Sequence, residues 1–229
     1  MRYPSLVSAV VCTLNEEKSI YETLKRIPEF VCEIIVVDGH SKDRTLELVK
    51  KARPDARIIL QRGKGKAIAM RQGIDAATGD IVVTLDGDGS SDPAEIPKFV
   101  RAILEGNHIA KGSRFLAGGP RMPFHRQYLN IMLTLFTDFL YMARFTDVTC
   151  GFNAFRRSAI LNLDFMRTGF GYEPVIYALA KKSHYRIVEV PCKDRGRKSG
   201  ASKLPALTQG LKAAIILLKE RFHVTKHEP

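Results

Sequence analysis

The sequence has only four cysteines, at positions 12, 32, 150 and 192, and no two of them are close neighbours. Zinc knuckles and dithiol redox motifs need two cysteines at short spacing, so both are excluded. Scattered thiols are typical of a reducing compartment rather than of a secreted domain held together by disulfides. The first residues also lack the basic-then-apolar order of a signal peptide, and we therefore expect a cytoplasmic protein without a cleaved leader.

No apolar run is long and uninterrupted enough to span a bilayer, which takes about 20 apolar residues with few charges. The two strongest candidates are Tyr128–Phe145 and Leu204–Phe222, and charged residues interrupt both. We predict that each forms an amphipathic helix, either packed in a core or lying at a membrane surface.

Acidic residues are scarce in the second half of the chain. Residues 1–115 hold 18 Lys and Arg against 16 Asp and Glu, whereas residues 116–229 hold 18 against 8. The second half therefore carries +10 of the formal net charge of +12. Such a basic half favours an anionic partner, such as nucleic acid, a phosphate-bearing ligand or an acidic membrane surface.

Short runs rich in Val and Ile alternate with helical patterns. Five runs are predicted as strands, most of them buried and parallel: Ser5–Leu14, Cys32–Asp38, Arg57–Leu60, Asp80–Asp86 and His108–Arg114. Helices are predicted at Glu17–Ile27, Asp43–Ala52, Lys66–Ala77 and Pro93–Glu105. Asn15 is a candidate cap for the first helix and Asp92 for the last. This order predicts a doubly wound α/β sheet, which binds ligands at the carboxyl ends of its strands.

The sharpest motif is Asp86-Gly87-Asp88, which closes the fourth predicted strand. Side chains alternate along an extended chain, so two carboxylates separated by one residue face the same side. Their oxygens suit a hard divalent cation whose remaining positions are left for substrate phosphate. A plain Asp/Gly turn is the alternative, but the strand before the motif and the capped helix after it favour a metal site.

Further polar loops follow the other predicted strands. Three of them belong to the nearly neutral half: Thr13–Glu17, Asp38–Asp43 and Gly63–Ala67. A strand-closing Asp can accept hydrogen bonds from a base or ribose, and a Gly-Lys loop can lie against a diphosphate. Four more belong to the basic half: Gly112–Arg114, Met122–Arg126, Asp147–Phe152 and Arg197–Lys203. Their Arg and Lys side chains are natural partners of phosphate, although a surface salt bridge is the alternative for any one of them.

Together these motifs resemble those of the family 2 glycosyltransferases, in the branch similar to dolichol-phosphate-mannose synthases. The resemblance covers nearly the whole chain and implies one GT-A-type domain over residues 1–229. Such a domain has a Rossmann-like, mostly parallel α/β sheet flanked by helices. Residues 1–115 would be the half that binds the nucleotide sugar, and residues 116–229 the basic half that faces acceptor and membrane. The two amphipathic helices would lie at the membrane interface.

The resemblance also implies roles for individual residues. Asp86 and Asp88 would bind Mg²⁺ or Mn²⁺ on the donor diphosphate. Donor-binding residues would be Thr13, Asn15, Glu16, Asp38, Gly39, Lys66 and Asp86, with Asp38 contacting the base. The catalytic set would be Asp88, Arg114, Arg126, Arg197 and Lys203, whose cations gather the donor and acceptor phosphates.

The implied reaction is inverting transfer of a hexose from a UDP- or GDP-linked donor to a polyprenyl or dolichyl phosphate. The protein would act peripherally on the cytoplasmic face of a membrane and would not bind nucleic acid. The sugar, the nucleotide and the oligomeric state stay open.

Three alternatives remain at this point. One is a glycosyltransferase with a non-prenyl acceptor. Another is a haloacid-dehalogenase-type, Mg²⁺-dependent phosphatase in which Asp86 attacks phosphate, although that family carries its motif after the first strand and not the fourth. A nucleic-acid-binding module is the non-enzymatic alternative, but the sequence contains no recognised motif for it and no identifiable aromatic platform.

Overall fold

The computed structural model describes residues 6–166, 171–197 and 206–222. The strands are β1 Val7–Thr13, β2 Glu33–Asp38, β3 Arg57–Leu60, β4 Ile81–Asp86, β5 Ile109–Ser113, β6 Asn153–Arg156 and β7 Ile187–Pro191. The helices are α1 Ile20–Lys25, α2 Thr45–Ala52, α3 Lys66–Ala76, α4 Ile96–Leu104, α5 Phe124–Tyr141, α6 Arg157–Leu161, α7 Tyr172–Lys182 and α8 Ala206–Phe222. Short 3₁₀ turns cover Pro93–Glu95 and Phe115–Ala117.

These strands form one seven-stranded sheet in the order β3-β2-β1-β4-β6-β5-β7. All neighbouring pairs are parallel except the two that involve β6, which runs antiparallel to β4 and β5. The predicted α/β sheet, mostly parallel and flanked by helices, is therefore confirmed. The sheet draws β6 and β7 from the second half of the sequence.

Both faces of the central strands are buried, which explains their unbroken Val and Ile content. On one face, α1, α2 and α4 cover the sheet, and α4 presents Ile96, Phe99, Val100 and Ile103 at helical spacing. On the other face, α3, α5, α6, α7 and α8 pack over Val10, Ile35 and Val82. Two apolar cores thus hold the sheet rigidly between helical layers.

The predicted elements differ from the observed ones mainly at their ends. The cap predicted at Asn15 is wrong, since α1 begins only at Ile20 and Asn15 takes a left-handed φ of 55°. The cap predicted at Asp92 is confirmed, because its carboxylate accepts a hydrogen bond from the backbone N–H of Ala94. Residues 5, 204 and 205 of the predicted elements lie outside the described residues.

Two further differences concern the second half. Helix α5 begins at Phe124, earlier than predicted, because Pro123 supplies an extended residue before it. It ends at Tyr141, where Met142 takes a left-handed φ of 49°. Strands β6 and β7 and helices α6 and α7 had no predicted counterpart. None of the helices in the described ranges is both long and apolar enough to cross a membrane.

Gly73 of α3 marks a very close approach of a helix to the sheet. A Cβ atom there would lie 2.3 Å from Cγ1 of Val10 and 3.0 Å from Cγ2 of Val37. We expect Gly73→Ala to lower the free energy of unfolding in urea by about 1–3 kcal/mol through overpacking. Gly210→Ala in α8 is the control, since its Cβ would meet nothing within 4 Å and helix propensity should raise stability by up to about 1 kcal/mol. Equal stability of both variants would contradict the close packing.

Candidate active site

A cleft of about 1050 Å³ opens at the sheet edge where the parallel strands end. It lies at the ends of β1 and β4, which are paired with Cys12 opposite Asp86. The strand order reverses between these two strands, and open α/β sheets bind ligands at such a switch point. The volume matches the largest pockets that proteins use for small ligands, about 1000 Å³.

Most of the predicted site residues line this cleft: Thr13, Glu16, Gly39, Lys66, Asp86, Asp88, Arg114, Arg126 and Arg197. The parallel strands bring them together, because residues from far-apart loops follow neighbouring strands. Asn15 and Asp38 do not line the cleft. Lys203 lies outside the described residues.

Asn15 and Asp38 shape the two loops that follow β1 and β2. The backbone N–H of Asn15 donates to Oγ of Ser41 over 2.8 Å, and Oδ1 of Asn15 accepts from the backbone N–H of Lys42 over 2.8 Å. The Asp38 carboxylate is fully buried and accepts from the N–H and the hydroxyl of Ser41, at 2.8 and 2.5 Å. These bonds fix one wall of the cleft, and the base contact of Asp38 stays a prediction.

Lys66, the first residue of α3, lies between two carboxylates. Its Nζ is 2.9 Å from each carboxylate oxygen of Asp86 and 3.1 Å from Oε1 of Glu173. Burial by itself lowers the pKa of Lys66, but the charges of Asp86 and Glu173 outweigh it and hold the pKa well above its usual range. Lys66 is therefore a permanent cation in the cleft wall.

Sequence reasoning missed Glu173, the second residue of α7. Its side chain is buried and pairs with Lys66, which is 107 residues away in the chain. Beside it, the Tyr172 ring centroid lies 5.5 Å from the Lys66 ammonium. The signal in the sequence was an acidic residue directly before the apolar run 174–180. A buried carboxylate needs a charge partner, and here Lys66 supplies it.

A second cation, Arg197, lies beside the other two acidic groups of the cleft, Glu16 and Asp88. Its guanidinium pairs with Glu16 at 2.5 Å, and its Nε lies 3.7 Å from Oδ2 of Asp88. The other oxygen of Asp88 accepts from the N–H and the hydroxyl of Ser90. Burial raises the pKa of Glu16, and the hydrogen bond and charge of Arg197 oppose that rise. Lys66 and Arg197 thus balance part of the negative charge of one wall of the cleft. This acidic wall consists of Glu16, Asp86, Asp88 and Glu173.

Asp86 and Asp88 both line this wall of the cleft, with one residue between them in the sequence, and a cation held by the two stays a prediction. Across the described part of the chain, His, Cys, Asp and Glu side chains form no group of three or more that suits a metal ion. A divalent cation at Asp86 and Asp88 would therefore complete its coordination with ligand oxygens or water.

Arg114 forms an ion pair with a carboxylate of the protein itself, Asp147. It forms a two-pronged ion pair with Asp147, at 2.7 and 2.9 Å, and also donates to Oγ1 of Thr149 over 2.9 Å. Asp147 is fully buried and also accepts from Asn130 of α5 over 2.9 Å. Burial raises the pKa of Asp147, but the hydrogen bonds and charge of Arg114 prevail and lower it. The phosphate contact of Arg114 stays a prediction.

Part of the cleft lining is basic. It includes the start of α5 and the segment before it, with Arg121, His125 and Arg126. Lys64 and Lys193 add two more cations to the lining. Thr13 also lines the cleft, and its Oγ1 is a buried polar atom that has no hydrogen-bond partner among the described residues. A phosphorylated ligand would find several cations in this lining.

Comparison with known sequences identifies relatives along most of the chain. The family model described as glycosyl transferase family 2 matches residues 8–163. Dolichol-phosphate mannosyltransferase of Pyrococcus furiosus is 30% identical over 88% of this chain, which spans 60% of that relative's length. Dolichyl-phosphate hexose transferase of Haloferax volcanii is 32% identical, over 89% of each chain.

Solved structures of glucosyl-3-phosphoglycerate synthase from Mycobacterium tuberculosis share the fold. The complex with Mn²⁺, UDP and glucosyl-3-phosphoglycerate has a TM-score of 0.75 at 22% identity, covering 98% of this chain and 82% of the other. The complex with Mg²⁺ and UDP has a TM-score of 0.76 at 22% identity, covering 98% and 82%. These likenesses confirm the glycosyltransferase-type α/β fold.

The ion pair of Arg114 with the buried Asp147 stabilises the wall of the cleft, and its loss should lower the stability of the protein. We expect Asp147→Asn to lower the free energy of unfolding by about 3–5 kcal/mol, because it leaves the largely buried guanidinium of Arg114 without its counter-charge. Chemical denaturation followed by circular dichroism measures the change. The matched control is Asp75→Asn, which removes an exposed pair with Arg71 and should cost less than about 1 kcal/mol. A loss at Asp147 as small as that at Asp75 would contradict this role.

Proposed function

Because the chain belongs to glycosyl transferase family 2, we propose that it transfers a hexose from a nucleoside-diphosphate sugar to a polyprenyl phosphate at a membrane surface. One observation on α5 carries the acceptor part of this proposal. Arg126 lines the cleft, whereas Phe124, two residues earlier, is 88% exposed. The start of one helix therefore offers a cation to a phosphate and an apolar surface to the chain attached to it. The names of the relatives from Pyrococcus furiosus and Haloferax volcanii support the same acceptor class.

The acidic wall and the Gly63-Lys64-Gly65 loop are proposed to bind the donor. The Lys66 ammonium and the loop before α3 suit a diphosphate, and Gly39 and Thr13 line the adjoining part of the cleft. UDP or GDP would be accommodated by the cleft volume of about 1050 Å³. The UDP-bound structures that share the fold favour UDP as the first donor to test.

Asp86 and Asp88 fit a Mg²⁺ or Mn²⁺ ion in their donor chemistry. Both carboxylates face the cleft, and Mg²⁺ typically binds to one or two protein carboxylates together with substrate phosphates. When bound, the ion would stabilise the charge that develops on the leaving diphosphate. With Asp86 bound to the ion, Lys66 would retain Glu173 as its partner and would stay close to the diphosphate.

The acceptor needs positioning rather than a general base. A phosphate monoester has a second pKa of about 6, so its oxygens are already charged at neutral pH. An oxygen of the lipid phosphate would attack the anomeric carbon in line as the diphosphate leaves, which inverts the configuration. Arg126 and Arg197 would offset the repulsion between the two anionic reactants.

Exposed apolar side chains on α5 and α8 are proposed to contact the membrane. They recur at helical spacing on both helices: Phe124, Tyr128, Ile131, Met132, Leu135 and Phe139 on α5, and Leu211, Ile215, Leu218 and Phe222 on α8. The hydroxyl of Tyr141 donates to the carbonyl of Leu217 over 2.8 Å and holds the two helices together. The two stripes suit peripheral binding to an anionic surface, for which we predict the cytoplasmic face.

A transfer assay tests the proposed reaction directly. Purified protein is incubated with a short polyprenyl phosphate and radiolabelled UDP- or GDP-sugars, with Mn²⁺ or with EDTA, and label in the organic phase is counted. We expect metal-dependent label from one donor. A parallel incubation offers 3-phosphoglycerate as acceptor, and label that appears only in its water-soluble product would overturn the polyprenyl acceptor and favour the non-prenyl alternative.

Loss of one metal-binding carboxylate should nearly abolish transfer. We expect Asp88→Asn to reduce turnover by at least about a hundredfold, because charge on the leaving diphosphate would lose its stabilisation. Electron paramagnetic resonance of Mn²⁺ in the presence of UDP should reveal weaker metal binding by the same variant. Asp55→Asn, an exposed position that pairs with Arg53, is the control and should keep both. Near-normal turnover of Asp88→Asn would exclude the metal role.

Removing two exposed rings should weaken membrane binding. Phe124 and Phe139 are 88% and 82% exposed, and a buried Phe contributes about 1.5–3 kcal/mol. We expect Phe124→Ser combined with Phe139→Ser to lower the affinity for phosphatidylglycerol vesicles by at least about tenfold, as measured by co-sedimentation. Leu6→Ser, exposed at the opposite sheet edge, should have no effect. Equal binding by the double variant would contradict the proposed surface.

A further inference from the structure

Two buried thiols meet in the cleft, and neither has a role in the proposed transfer. The sulfur atoms of Cys150 and Cys192 lie 3.7 Å apart, and both residues line the cleft although each is at most 3% exposed. We propose that this pair is an oxidation site, at which a hydroperoxide that enters the cleft converts the two thiols into an intramolecular disulfide.

The backbone brings these two cysteines together for a physical reason. Cys150 lies in the loop before β6, and Cys192 directly follows β7. Between them lies Gly112 of β5, where a Cβ would be 2.8 Å from one sulfur and 2.9 Å from the other. Only a residue without a side chain leaves room for both sulfurs. A disulfide has a sulfur–sulfur length of about 2.05 Å, so the two loops would need to approach by less than 2 Å.

The surroundings make Cys150 the attacking group. The thiol hydrogen bond with Cys192 lowers the pKa of Cys150, and the nearby charge of Arg114 acts in the same direction against the effect of burial. The same pairing raises the pKa of Cys192. Only the thiolate form is a strong nucleophile, so the two members of the pair are suited to different steps.

The reaction balances with a hydroperoxide as oxidant. The Cys150 thiolate attacks the terminal peroxide oxygen, the O–O bond breaks, and the departing oxygen takes up a proton and leaves as an alcohol or as water. The Cys192 sulfur then attacks the resulting sulfenic acid, the S–O bond breaks, and a water molecule leaves. In total the two thiols lose two electrons and two protons, and the peroxide gains them.

The new bond would join two segments of the cleft wall. On one side, Thr149 binds Arg114, and Gly151 lies so close to Asp86 that a Cβ there would be 2.8 Å from Oδ2. On the other side, residues 193–197 lead to Arg197 and its pair with Glu16. Oxidation is therefore expected to lower the affinity for UDP, because it moves the groups on both sides.

Mass spectrometry of the full chain tests the proposal. The reduced protein is treated with hydrogen peroxide, digested without reductant and mapped. We expect a peptide that links Cys150 to Cys192, a loss of the mass of two hydrogen atoms, and a fall from four to two titratable thiols in denaturant. Dithiothreitol should restore all four.

Cysteine variants, and a peptide map of the protein before peroxide treatment, make the outcome decisive. Cys150→Ala and Cys192→Ala should each fail to form the link, whereas Cys32→Ala, an exposed position, should form it like the wild type. A link to Cys12, or oxygen adducts without any link in the wild-type protein, would overturn the proposal. Since the map needs no transferase assay, its failure would leave the proposed function untouched, and the failure of transfer would leave this site untouched.

Discussion

Charge compensation at the carboxyl edge of the sheet is the constraint on which the rest of the site depends. Four carboxylates converge there: Glu16, Asp86, Asp88 and Glu173. They would repel each other without partners, and two cations hold them together, Lys66 between Asp86 and Glu173 and Arg197 between Glu16 and Asp88. The same cations are suited to a diphosphate. One arrangement thus stabilises the cleft and suits the anionic donor that is proposed to bind there.

The antiparallel strand β6 incorporates the second half of the chain into this arrangement. It lies between β4 and β5, so the loop before it brings Asp147 to Arg114 and Gly151 to Asp86. The fully buried Lys111 strengthens this region, since its ammonium contacts the Asp147 carbonyl and pairs with Glu189 at 2.7 Å. Buried charges of this kind tolerate little displacement, because losing one partner leaves the other uncompensated.

Helix α5 connects the polar cleft to the apolar surface. Its first turn contributes His125 and Arg126 to the cleft, and the side chains that recur at helical spacing beyond them point away from the protein. Asn130 of the same helix donates to Asp147, so the orientation of the helix is tied to the buried ion pair. A lipid phosphate and its hydrocarbon chain would need these two surfaces side by side.

The sequence alone determined strands β1 to β5 and the identity of most cleft residues, whereas tertiary structure added β6 and β7 to the sheet and decided how the cleft residues pair. Val- and Ile-rich runs predict buried parallel strands, and parallel strands end at one edge, so Thr13, Lys66 and Asp86 had to meet. The partners of Lys66 could not be predicted, because Glu173 is 107 residues away and periodicity describes only local structure. The pairing of Arg114 with Asp147 rather than solvent likewise depends on burial, which only the packed chain creates.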